Sequence, residues 1–289
     1  MKRIIKTLFL PASLLLASCA GNSHQQEESF NYIDERFADI QMLRYNVEGF
    51  DALSLKQKTF IYHLQEAALW GRDILFDQNG RYNLEIRRMM EKLYQEYQGD
   101  RQSQDFLAFE EYLKRLWFSS GIHHHYGSEK FVPGFSREWF VAQTGCSEEL
   151  AEVLFNPEVM SKRVNQAQGE DLVLTSASNY YQGVTQAEAE AFYARIKAEG
   201  DQQRPIMFGM NSTLVKGENG TIYEDRWTTT GKYGKSLSKV VENLKLARPY
   251  AGMPSSRRLS TCSSSTMRQA ICTPSTSTLS PGYRTQNLL

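Results

Sequence analysis

PIMFGMNSTLVKGENGTIYEDRWT, residues 205–228, decides the fold class. Pro205 to Lys216 and Thr221 to Thr228 carry apolar, aromatic and β-branched side chains on either side of Gly217-Glu-Asn-Gly220. That composition predicts two strands joined by a tight turn. Without them the chain would read as a helical scaffold; with them it is α+β. Just upstream, Leu172, Val173, Leu174 and Thr175 form a short apolar run that predicts a buried strand. Thr185 with Glu188 has capping-box spacing, and Ala189, Phe192, Tyr193 and Ile196 follow at helical intervals, with Gly200 as the stop. Downstream, a helix is predicted from Lys235 to Ala247.

Toward the N-terminus the pattern is helical. Ser54 and Gln57 make a second capping box ahead of Phe60, Ile61, Leu64, Ala67 and Ala68. Asn83 is placed to cap a helix with Ile86, Met89, Met90, Leu93 and Tyr97 on one face. Phe106, Phe109, Leu113, Leu116 and Trp117 mark a third. Ser136 and Gly145 bracket a fourth, and Ser147 followed by Glu148 and Glu149 opens a fifth. The methionine and aromatic stripes read as core rather than as a cofactor site.

Of the 289 residues, 41% are hydrophobic and 12% aromatic, enough for a folded core. Equal numbers of basic and acidic side chains, 33 of each, give no electrostatic case for nucleic acid. The four cysteines, at 19, 146, 262 and 272, are too scattered for a disulfide framework or a zinc site. Cys146 reads as a buried, inert thiol.

The two ends read differently from the body. Lys2, Arg3 and Lys6 precede an apolar run from Leu8 to Leu16, too short to span a bilayer, so residues 1–18 read as a signal peptide. Leu16-Ala17-Ser18-Cys19 has the form of a lipobox, which makes Cys19 the expected lipidation site and the bacterial cell envelope the expected location. Residues 19–30 would be a polar tether. From residue 252 onward, 38 residues hold 15 Ser or Thr and no Asp, Glu, Lys, Phe, Trp or Val. A Ser/Thr/Pro-rich disordered tail is one reading. A frameshift near residue 251 is the other: permitted codons for residues 270–285, read in another frame, give DLHTFDEYSIAWVQD.

Four blocks, LQEAALWGRDILFDQN (64–79), SSGIHHHYGSEKFVPGFS (119–136), SNYYQGVTQAEAEAFYARI (178–196) and PIMFGMNSTLVK (205–216), resemble the dipeptidyl peptidase III family, its bacterial lipoprotein members above all. The resemblance implies a two-lobed zinc peptidase that releases dipeptides from the N-termini of short peptides. Residues 31–250 would be the N-terminal part, belonging mostly to the lower, mixed lobe, and residues 251–289 a wrong-frame tail. The family's zinc sits on an H-E-x-x-x-H helix that places both histidines on one face. No such motif occurs in these 289 residues. No catalytic, metal or substrate-binding residue carries over, so the chain is expected to lack the zinc-binding helical lobe and to be inactive by itself. The alternative is a non-catalytic, lipid-anchored peptide-binding module.

Five histidines remain: His24, His63, His123, His124 and His125. The triple run could suggest a metal site, but no acidic or cysteine ligand is adjacent, so a polar loop is the better expectation. His63 is expected at the boundary of its helix's apolar stripe. Asn211, Ser212 and Lys216 could line the family's cleft or have a turn-forming or surface role.

Overall fold

A computed structural model describes residues 30–200, 209, 211–253, 256 and 267. The expected signal peptide, Cys19, His24, nearly all of the expected tether and tail, and most of the predicted strand segment before Asn211 lie outside the described residues. The chain is α+β: seven helices, a two-stranded hairpin and a three-stranded sheet among the described residues.

The hairpin of β1 (Ile33–Phe37) and β2 (Ile40–Leu43) comes first. Sequence periodicity did not mark it, because only Ile40 is buried. Ion pairs hold it to the third helix, Glu35 with Lys114 at 2.6 Å and Asp39 with Arg115 at 3.0 Å.

α1 (Leu55–Asn79) opens on the expected Ser54–Gln57 capping box. Only part of its anticipated apolar stripe is buried. Ile61 and Leu64 are exposed, whereas Ala67 packs against Val240 and Leu244 of α7 (Gly234–Ala247). Helices α2 (Asn83–Glu96), α3 (Gln104–Ser119), α4 (Arg137–Thr144) and α5 (Glu148–Phe155) build the main core. Phe109, Leu113, Leu116, Phe140 and Leu154 are fully buried there. Ser103, Ser136 and Ser147 cap α3, α4 and α5, and Gly145 closes α4 in the left-handed conformation.

Asn83 does not cap α2, whose N-cap is Tyr82 without a side-chain bond. Asn83 is the first helical residue, 1% exposed, and its Oδ1 accepts from the Ile122 amide at 3.3 Å. The side chain stitches two segments together instead of ending a helix. Gly121, at φ +153°, lies against it, and a Cβ there would come within 2.3 Å of Asn83 Nδ2.

The predicted strand at Leu172–Thr175 is a turn. Asp171 Oδ1 accepts from the Val173 and Leu174 amides at 3.0 Å each, and the Thr175 amide returns to the Asp171 carbonyl at 3.1 Å. An Asx-type turn outweighs the β propensity of a run with Leu174 left exposed. The sheet is β3 (Tyr181–Gln182), β4 (Ser212–Lys216) and β5 (Ile222–Arg226), in that order, with β3 parallel and β5 antiparallel to β4. Gly220, at φ +79°, makes the predicted turn between β4 and β5. α6 (Gln186–Glu199) bears the second capping box, packs Ala189 against Leu214 and ends at Gly200. No helix among the described residues is long and apolar enough to cross a membrane.

Candidate functional site

An open cleft of about 730 Å³ runs beside β3. β3 hydrogen-bonds β4 on one side only, so its other edge is free among the described residues, and Tyr181, Gln182 and Gly183 line the cleft. The facing wall comes from residues 158–179, the end of α1 and Lys232 before α7.

Asp77 ties these parts together. Three donors converge on its Oδ2: Lys232 Nζ at 2.7 Å, Asn179 Nδ2 at 3.1 Å and the Tyr233 hydroxyl in a short contact. The Asp77 side chain is only 14% exposed. Burial, with the neighbouring Asp77 carboxylate, pushes the Tyr233 hydroxyl far up, so it stays a donor. The Asn179 amide also donates to the Gln78 carbonyl at 2.9 Å, fixing the approach to β3 against α1.

The opposite rim is set by Asp171. Its carboxylate accepts from the Leu174, Gln186 and Val173 amides, which hold its pKa below the ordinary value. Glu158 and Glu170 add negative charge and Arg81 positive charge to the lining. Behind the sheet, Lys216 pairs with Glu188 at 2.6 Å, and Lys216 with the Thr185 amide brings that carboxyl down to about 2. Lys216 therefore serves the α6 cap. Ser212 donates to Glu224 at 2.9 Å, and the Asn211 carbonyl accepts from the Trp227 amide.

The histidines do not come together as ligands. His123 is 2% exposed and its Nε2 bonds the Met160 carbonyl at 2.7 Å. His124 Nδ1 accepts from the Gly127 and Tyr126 amides at 3.0 and 3.2 Å, a loop-forming role. The His124 and His125 rings stack at 4.5 Å. Among the described residues no three His, Cys, Asp or Glu side chains are grouped to hold a metal ion. This donor set does not fit the zinc that the sequence resemblance implies. His63 is half-buried and stacks on Tyr250 at 6.0 Å. Cys146 is half-buried against the helical core.

Burial drives the His123 imidazole down to about 4 from its ordinary 6.5. The unfolded chain then binds more protons than the folded one between those values, so stability falls as pH drops from 6.5 toward 4. The expected loss attributable to this group is roughly 3 kcal/mol. Thermal unfolding at pH 7 and pH 4 checks it: His123→Gln should lose less stability on acidification than the wild-type chain.

Asp77, Asn179, Lys232 and Tyr233 escaped the sequence reading. Asp77 and Asn179 lie within the quoted blocks at 64–79 and 178–196, but no spacing rule links residues so far apart.

No protein-family model matches the chain, and no curated protein matches it. Among solved structures it is similar to dipeptidyl peptidase III from Caldithrix abyssi, at 16% identity and a TM-score of 0.45, over 78% of this chain and 32% of that one. It is also similar to dipeptidyl-peptidase III from Corallococcus sp. strain EGB, at 15% identity and a TM-score of 0.49, over 81% and 34%. The chain thus spans about a third of the length of these structures. At that level of likeness the α+β assignment rests on the helices and strands themselves.

Proposed function

We propose that this chain is the peptide-binding portion of a dipeptidyl peptidase III-like zinc peptidase, unable to cleave peptides by itself. The observation that carries the peptide-binding reading is the free β3 edge on an open cleft. An extended peptide laid there gains main-chain hydrogen bonds from a sheet edge, the general mode of strand addition. Glu158 and Glu170 suit a peptide's terminal ammonium, and Lys232, oriented by Asp77, can donate to a peptide carbonyl. The four sequence blocks supply the family reading. No hydrolytic step is assigned to these residues, since they include no ligand set for the metal.

The purified 289-residue protein should bind a dye-labelled tetrapeptide saturably, with Kd on the order of 0.1 mM, and release no dipeptide when zinc is added. Fluorescence anisotropy and chromatography of the same samples read both. Zinc-dependent dipeptide release would sink the inactivity claim, and no saturation at millimolar protein would sink the peptide-binding one.

The anchor is a separate part of the reading. With the lipobox at Leu16–Cys19, the envelope-bound protein should carry diacylglycerol on Cys19. Mass spectrometry of the mature N-terminal peptide is the check; an unmodified Cys19 in membrane-extracted protein rejects it. A second reading is a selected lipid-anchored binding module without catalysis, which the same β3 edge would serve. Resequencing the gene past codon 245 separates the two. A restored frame that encodes the motif supports the peptidase, and an intact frame with nothing similar beyond supports the module.

A further inference from the structure

Behind the Asp77–Lys232 pair lies a second cavity of about 540 Å³, between α1, the start of α2 and the start of α7. Its wall carries five cations, Arg72, Arg87, Arg88, Lys232 and Lys235, against two carboxylates, Asp73 and Asp77. Asp73 is shared by two of them: Arg87 Nη2 donates to Oδ1 at 2.8 Å and Arg88 Nη2 to Oδ2 at 3.2 Å. Burial raises the Asp73 carboxyl, but those bonds outweigh it and hold the pKa below the ordinary carboxylate value. Glu91, outside the lining, faces Arg87 Nε at 3.3 Å. Even counting Glu91, positive charge is in excess. Arg72 and Lys235 make no ion pair among the described residues.

Arg87 is the most buried of these cations. Arg87 is 5% exposed and lines the cavity, with its guanidinium over the Phe76 ring at 4.7 Å. Nη1 is buried and has no acceptor among the described residues. A buried guanidinium N–H without an acceptor is costly, and the Arg87 charge adds to the positive field that the lining presents to an anion. The start of α7 points the same way. Its N-cap, Tyr233, gives no side-chain bond, and its first turn carries no acidic residue, so the carboxylate beside this positive helix end is Asp77, already shared with Lys232 and the Tyr233 hydroxyl. Lys235 and Ser236 of that turn line the cavity. Leu69 and Trp70 form an apolar rim, and Trp70 is 39% exposed.

We propose that this cavity binds a dianionic oxyanion, the phosphate group of a small molecule whose apolar part rests on Trp70. Excess positive charge on both the side chains and the helix end favours a dianion over a single carboxylate. The site is distinct from the cleft, with Asp77 and Lys232 forming a wall common to both.

Inorganic phosphate is the probe, titrated into the full chain by calorimetry at fixed ionic strength, with acetate in a parallel arm. Saturable binding with Kd on the order of 1 mM is expected, falling about tenfold in Lys235→Glu and in Arg72→Gln. These two side chains make no ion pair among the described residues, so both variants should fold, and far-UV circular dichroism checks that. Arg87→Met should bind phosphate still more weakly. The proposal fails if phosphate gives no saturable heat up to about 20 mM, or if binding survives unchanged in both folded variants. Acetate binding as tightly as phosphate overturns the dianion assignment.

Discussion

Lys130→Met is expected to lower the unfolding free energy by roughly 2–4 kcal/mol. The half-buried ammonium donates to three carbonyls at and just beyond the end of α5: Val153 at 3.0 Å, Val159 at 2.5 Å and Asn156 in a short contact. The last carbonyls of a helix have no partner within it, and a cation there also meets the negative end of the helix dipole. Methionine fills similar space but donates nothing. The Asn156 carbonyl keeps the Val159 amide as a second donor at 3.2 Å, so two acceptors, not three, are stranded. That limits the loss to the range given. Chemical denaturation of the two proteins at pH 7 measures it, and a difference under about 1 kcal/mol would show that water replaces the lysine.

The same lysine has a pH signature. Burial lowers its pKa from the ordinary 10.5 to about 8. Between these values the unfolded chain holds the proton more tightly, so the wild-type protein gains stability as pH rises from 8 to 10.5. The methionine variant lacks that gain. The gap between the two proteins should therefore widen in alkali.

What the sequence disclosed was local. Helix starts were legible because a capping residue and its partner lie three positions apart: Ser54 with Gln57 and Thr185 with Glu188 both form the expected reciprocal bonds. The turn before β5 was legible for the same reason, since Gly220 takes a positive φ that few other residues adopt. Leu172–Thr175 misled because apolar content suggested a strand, while the deciding group was the Asp171 carboxylate just outside the run. Asn83 misleads because an asparagine at a helix start most often caps it, whereas its partner here, Ile122, is 39 residues away. The cleft suffers the same blindness on a larger scale. Asp77 and Tyr233 are 156 residues apart, and a single sequence has no periodicity at that range.

Asp77→Ala is expected to weaken both the fold and the cleft, because one carboxylate oxygen serves three donors on two distant segments. Its loss leaves the Lys232 ammonium, the Asn179 amide and the Tyr233 hydroxyl without their shared acceptor. Removing one partner from a fully buried ion pair costs about 3–5 kcal/mol. Lys232 is 30% exposed and can turn to water, so roughly 2–4 kcal/mol is the discounted expectation. Asp77→Asn separates geometry from charge. An amide oxygen still accepts from Tyr233 and Asn179, so about half of the stability should return, while Lys232 loses its counter-charge. If Lys232 must be held in place to meet a peptide carbonyl, tetrapeptide affinity should fall in Asp77→Asn by about tenfold even where the variant is folded. Denaturation midpoints and anisotropy titrations on the two variants give both numbers. A folded Asp77→Asn that binds tetrapeptide like the wild type would remove Lys232 from the binding reading and leave the β3 edge to carry it alone.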